Sequence, residues 1–234
     1  MLALILNTNK INIKQTYILA QIFSKIRSML DDIPITIQKS KKIKTLSLNI
    51  TPSLEVILKM PNSCSQARAS VFLKEQEAWL KKTFLSMQEK HSLLRANLEK
   101  YKNKILIFDE VKNANDYTLT ELKKILKTYL EQKLPLIAQK MQTSYTHFSV
   151  RNNTKVLGSC SYHNRLSFAL LLVCAQKEAI DYVIIHELAH TIHKNHSKNF
   201  WRCVEIFCPN YRALREYLKQ RVVFYTQLLK QLRP

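Results

Sequence analysis

Ile35 and Ile37 alternate with Thr36 and Gln38, and Leu46, Leu48 and Ile50 alternate with Thr45, Ser47 and Asn49. A period of two puts every second side chain on one face, so both stretches predict half-buried strands. The Lys-rich segment 39–44 reads as the turn between them, Thr51-Pro52-Ser53 as the next turn, and Leu54 to Lys59 as a third strand. Turns at this spacing predict an antiparallel meander with one buried face. Upstream, Ile18, Ile22 and Ile26 recur every four residues and predict an amphipathic helix over 17–30, ended by Pro34. Downstream, Pro61-Asn62-Ser63 closes the meander. Ser63 is an N-cap candidate for a helix running to about Lys90, with Val71, Ala78, Leu80, Phe84 and Leu85 among its apolar positions. Trp79 on this helix is expected in the core.

Residues 91–104 are polar and lack a strong period. A short strand follows at Ile105 to Phe108, then a loop from Asp109 to Tyr117. Thr118 precedes Glu121 by three residues, the signature of a capping box. The helix it opens carries Leu122, Ile125, Leu126, Tyr129 and Leu130 towards Met141, with Pro135 as a candidate kink. Thr146 to Arg151, Lys155 to Cys160 and Arg165 to Phe168 read as short strands. A buried helix starts near Ala179, Ser197 caps another up to Cys208, and Pro209 opens a last one from Asn210 to about Leu232. The pattern is α+β, with an N-terminal antiparallel β meander and C-terminal helices. The expected seam divides a β-rich part with one long helix, 1–110, from a second part, 111–234, unless the two form one compact unit.

Composition adds three constraints. Apolar residues make up 46% of the 234, enough for a substantial core. The 37 Lys and Arg outnumber 17 Asp and Glu, a formal charge of +20. Such an excess suits acidic partners such as nucleotides or nucleic acid, and equally a solvated basic surface. The five cysteines lack framework spacing, which suits a reducing compartment. Cys203 and Cys208 do not have the spacing of a zinc ribbon or finger and read as packing thiols. No apolar run approaches the roughly 18–20 residues of a membrane span. Leu2 to Leu6 is too short for a signal core, so a cytoplasmic location is expected.

The candidate chemistry lies in Asp181-Tyr-Val-Ile-Ile-His186-Glu187-Leu-Ala-His190-Thr-Ile-His193-Lys-Asn-His196. On a helix, His186 and His190 are one turn apart on one face, a spacing that holds zinc. Glu187 lies about 100° further round, where it can act as a general base without being a ligand. A zinc enzyme wants three protein ligands and one open position. His196 is the third-ligand candidate and Glu205 its rival. For His196 to reach the metal the chain must turn near Lys194-Asn195, and Asn195 tolerates the left-handed dihedrals such a turn requires. On the substrate side, Gly158-Ser159-Cys160-Ser161 suits an edge strand that pairs with an extended substrate, because Gly158 permits close backbone approach. Cys160 itself reads as a small buried hydrophobe. Arg151 can steer an anionic substrate or pair with a surface acid, and His163 is the candidate transition-state donor. Phe200 and Trp201 are expected to pack the following helix and fix the ring of His196.

Arg151, Gly158-Ser-Cys-Ser161, the helix from Asp181 to His190, Asn195-His-Ser197, Phe200-Trp201 and Pro209-Asn-Tyr211 together resemble the YgjP-like metallopeptidases, relatives of the SprT-like and WLM zincins. The resemblance is tightest over 145–218 and extends loosely from about residue 33. It implies a small zincin-type metalloprotease fold with zinc on His186, His190 and His196 and Glu187 as the catalytic glutamate. Some members of the family are described as nucleoside triphosphate pyrophosphatases acting on UTP. Leu157 stands where the family usually has Trp, and Asn164 and Ala169 replace a usual Gly and Asn.

Three functions remain in view. The first is zinc-dependent peptide hydrolysis. The second is hydrolysis of a nucleotide phosphoanhydride at the same site, although such chemistry usually wants magnesium or manganese on carboxylates, and no Asp/Glu cluster surrounds the motif. The third is a basic nucleic-acid-binding protein with a structural zinc, although structural sites usually have four protein ligands. No membrane partner is expected.

Overall fold

The computed structural model describes residues 33–232, in two units divided between Leu93 and Leu94. The helix expected over 17–30 lies outside the described residues. The chain is α+β, with six helices and three small sheets among the described residues.

In the first unit the strands are β1 (Ile35–Ser40), β2 (Ser47–Ile50) and β3 (Val56–Pro61). They are not a meander. The order is β1-β3-β2, with β1 parallel and β2 antiparallel to β3. Alternation fixes which face of a strand is buried but is blind to order and direction. The most apolar strand, β3, takes the centre, where Val56, Leu58 and Met60 are buried. Helices α1 (Gln66–Glu75) and α2 (Glu77–Lys100) follow. Ala69 and Leu73 of α1 pack on Leu58 and Met60, while Leu80 and Phe84 of α2 pack with Val56 and Ile33.

The long helix differs from its expected form in three ways. Ser65 rather than Ser63 is the cap, its hydroxyl accepting the Arg68 N–H. The helix breaks at Gln76. It then continues to Lys100, through the polar stretch that showed no period. Straight-chain residues such as Gln88, Glu89, Lys90, Arg95 and Glu99 favour helix without an apolar stripe to reveal it. Trp79 is 45% exposed on α2, not in the core.

The second unit begins within α2. Strands β4 (Lys104–Ile107) and β5 (Glu110–Asn113) form a hairpin where a loop was expected. Its two turn residues, Phe108 and Asp109, both have positive φ, the geometry of a tight primed turn. Phe108 is an unusual occupant of that region, which is why the turn was not legible. Its N–H donates to the Val173 carbonyl at 2.7 Å, anchoring the hairpin to the core.

Helix α3 (Leu119–Lys140) has the expected capping box. The Glu121 N–H donates to the Thr118 hydroxyl at 3.2 Å, and the Thr118 N–H donates to the Glu121 carboxylate at 2.6 Å. Leu122, Leu126, Leu130 and Leu134 form its buried stripe, and the helix continues through Pro135. Thr118→Ala is expected to lower the thermal midpoint by about 2–4 °C, read by circular dichroism.

Strands β6 (His147–Arg151), β7 (Gly158–Cys160) and β8 (Arg165–Ala169) form the third sheet, in the order β6-β8-β7. Strand β7 is shorter than the expected Lys155 to Cys160. It pairs antiparallel with β8 and lies at the sheet edge. The buried run Leu170–Cys174 leads into α4 (Lys177–Ile192), followed by α5 (Lys198–Phe207) and α6 (Tyr211–Lys230). Helix α4 is buried nearly all round, because α3, α5, α6 and β7 all pack on it. A helix apolar on every side belongs at the centre of such a stack. No helix among the described residues is long and apolar enough to cross a membrane, and all five cysteines are free thiols.

Candidate metal and catalytic centre

Helix α4 carries His186 and His190 on one face and ends at Ile192, where His193 leaves helical geometry at φ −122 and ψ 106. The chain then doubles back to the N-cap of α5, where the Ser197 hydroxyl accepts the Phe200 N–H. Asn195 is not among the residues with positive φ. It shapes the turn through its side chain, whose Oδ1 accepts the Ser197 N–H at 3.2 Å. An Asx turn of this kind replaces the left-handed residue that the sequence suggested.

The turn brings His196 to the other two imidazoles. One nitrogen from each of His186, His190 and His196 falls in a group whose members all lie within 4.8 Å of one another. The Nε2 atoms of His186 and His196 are 3.2 Å apart. Ligand atoms on a tetrahedral ion with bonds of 2.0–2.1 Å are about 3.3 Å apart, so this spacing fits zinc. The chemistry of the rings fits as well. His190 Nδ1 lies 3.0 Å from the His193 carbonyl. A carbonyl can only accept, so the proton sits on Nδ1 and the lone pair on Nε2 is free for a cation. Burial first, then the neighbouring His190 and His196, hold His186 down at about 3, and burial lowers His190. Both rings are therefore neutral, the form that binds metal. The rival Glu205 is outside the cluster, its carboxylate paired with Arg212 at 2.7 Å.

Among the described residues, Glu187 is the one charged residue that is buried, at 4% exposure, and its Oε2 has no hydrogen-bond partner. Burial pushes its carboxyl up to about 8. A divalent cation on the three imidazoles acts in the opposite direction and favours the carboxylate. On the other side, Gly158 of β7 lies directly against the Glu187 side chain.

An aromatic wall backs the histidines. Phe200 lies with its ring centroid 4.4–4.9 Å from those of all three. Trp201 stacks on His196 at 26° and 5.6 Å, and Tyr211 stacks on Trp201 at 17° and 5.3 Å. The Arg215 guanidinium lies 5.1 Å over Trp201. Trp201→Ala removes the support of the His196 ring. It is expected to weaken zinc affinity by about 10–100-fold in a chelator competition, with stoichiometry unchanged at saturation.

The remaining candidates fall less centrally. Arg151 ends β6, on the far side of β8 from β7, and has no ion pair among the described residues. His163 sits in the β7–β8 turn, edge-on to Tyr162, and no ring contact joins it to the three histidines among the described residues. The basic residue that does reach this turn is Lys194. Its Nζ donates to Asn164 Oδ1 at 2.6 Å and reaches the Ser161 carbonyl at 3.5 Å, tying the His196 loop to the β7–β8 turn. Asn164 itself has φ 56, so it holds the left-handed position that glycine usually takes. Lys194 was missed because its partners lie about 30 residues away, beyond any local pattern.

A His-Glu-x-x-His helix, a third histidine from the loop behind it and an edge strand alongside define a metallopeptidase-type domain. Residues 109–221 match the family model described as the YgjP-like, metallopeptidase domain, so this stretch of the chain is a YgjP-like domain. Neither a curated protein nor a solved structure matches the chain.

Proposed function

We propose that this protein is a zinc-dependent peptide hydrolase, with His186, His190 and His196 as ligands and Glu187 as general base. The observation that carries this reading is a buried glutamate with an unpartnered Oε2 beside three converging imidazoles. When bound, zinc supplies Lewis acidity and lowers the pKa of water to about 7. The His193 carbonyl fixes the tautomer of His190, and the aromatic wall fixes the ring of His196. Glu187 takes a proton from the attacking water at Oε2 and can return it to the leaving amine. A structural zinc site needs no such carboxylate, which counts against the purely structural reading.

Strand β7 supports a peptide as the substrate. The Leu157 carbonyl accepts from the Ala169 N–H, and the Ser161 N–H donates to the Arg165 carbonyl. The main chain of 157, 159 and 161 therefore faces β8, and that of Gly158 and Cys160 faces the open edge. An extended peptide can add there as a further strand. The net charge of +20 favours a second reading, in which the same site hydrolyses a nucleoside triphosphate such as UTP. From Gln132 to Lys177 the sequence contains no Asp or Glu, so this segment offers no carboxylates to hold a phosphate-bound magnesium ion.

The test combines metal analysis of the purified protein with a turnover screen. Stoichiometric zinc and cleavage of unfolded polypeptide, with UTP untouched, is the expected result. Pyrophosphate release from UTP without peptide cleavage would select the second reading. Strongly salt-dependent DNA binding without turnover of either would select a nucleic-acid-binding protein.

A further inference from the structure

The chain has a single glycine, and it sits in a strand, where glycine ordinarily weakens pairing and invites replacement. Gly158 does not have the positive φ that would demand glycine for its backbone. The usual conformational reason is therefore absent, and the reason must be space. A Cβ at this position would lie 2.5 Å from Glu187 Oε1 and 2.7 Å from both Cδ and Cγ. Ordinary carbon contacts lie at about 3.5–4.0 Å. The clash involves Cγ as well as the carboxylate, so rotating the end of the side chain does not relieve it. Glu187 is buried, on a helix against which α3, α5, α6 and β7 all pack.

We infer that Gly158 is a positioning residue for Glu187: its missing side chain is the slot in which the carboxylate lies, with Oε1 against β7 and Oε2 left unpartnered. This role differs from substrate pairing. A peptide added at the edge bonds to main-chain N–H and C=O groups in the plane of the sheet, which any residue supplies. A Cβ projects out of that plane, here towards α4. The demand for glycine therefore comes from the enzyme's own glutamate and not from the ligand. The catalytic meaning of the slot rests on the proposed function; the steric fit does not.

A thermal and kinetic cycle over wild type, Gly158→Ala, Glu187→Ala and the double variant tests the inference. Gly158→Ala is expected to lower the thermal midpoint, or to prevent folding, in the wild-type background. In the Glu187→Ala background the same change is expected to be neutral or stabilising, because the clashing atoms are gone. With zinc bound, Gly158→Ala is expected to lose about 100-fold in kcat, with KM and zinc stoichiometry near wild type, as for a reacting group displaced by about 1 Å. An equal thermal loss in both backgrounds, or no loss in either, overturns the inference. So does a raised KM at unchanged kcat, which would place Gly158 at the substrate. If no variant, wild type included, turns over any substrate, the hydrolase reading fails, and the thermal cycle still decides whether Gly158 accommodates Glu187.

Discussion

Glu187→Gln is expected to keep its zinc and to lose hydrolysis by about 10²–10⁴-fold, the usual worth of a positioned general base. The substitution is nearly isosteric, so it fills the same space against Gly158 and disturbs neither β7 nor α4. An amide cannot take the proton that the carboxylate takes, and its NH₂ or carbonyl would occupy the place of the unpartnered Oε2. Glu187 is not one of the three converging nitrogens, so metal stoichiometry should match wild type. Metal analysis and turnover on the same preparation check both halves of the expectation. Full activity in this variant would remove both hydrolytic readings.

His190→Ala is expected to do the reverse and abolish metal retention. It deletes a proposed ligand whose ring is held on one side by the His193 carbonyl and on another by Phe200 at 4.4 Å. Two imidazoles remain, one short of the protein ligands a catalytic zinc site uses. The loss of affinity should exceed the about 10–100-fold that follows from losing an outer partner. Thermal shift gives a readout independent of turnover. The wild-type midpoint should rise with added zinc and fall with a chelator, because a ligand that binds only the folded state stabilises it. The His190→Ala midpoint should respond to neither, and a wild-type-like zinc response in this variant would remove His190 from the ligand set.

These two outcomes depend on parts of the chain that the sequence exposed to different degrees. The helix bearing His186, Glu187 and His190 was legible because its chemistry lies within five consecutive residues of one element. The capping box at Thr118 and Glu121 was legible for the same reason, since both partners are within one turn. The order of the first sheet was not, because β1 skips β2, the next strand along the chain, and pairs directly and in parallel with β3. The hairpin at Phe108-Asp109 was hidden by a turn residue whose positive φ is held by the Val173 carbonyl, about 65 residues away. Trp79 was misplaced because an aromatic residue on a helix carries no mark of which way that helix faces. Arg151 and His163 lie near Gly158 along the chain, but nearness along the chain does not encode position across a sheet.

By itself the sequence determined the helix that carries His186, Glu187 and His190, the start of each C-terminal helix and the α+β class. Each of these is set by side chains close together along one element, where helical or strand periodicity converts spacing directly into geometry. Tertiary structure alone decided that His196 and not Glu205 joins the other two histidines, that Lys194 reaches the β7–β8 turn, and that Gly158 lies against Glu187. Those contacts join different elements, and their geometry follows from how a turn of a few residues and a packed helix direct the chain, which spacing along the sequence does not encode.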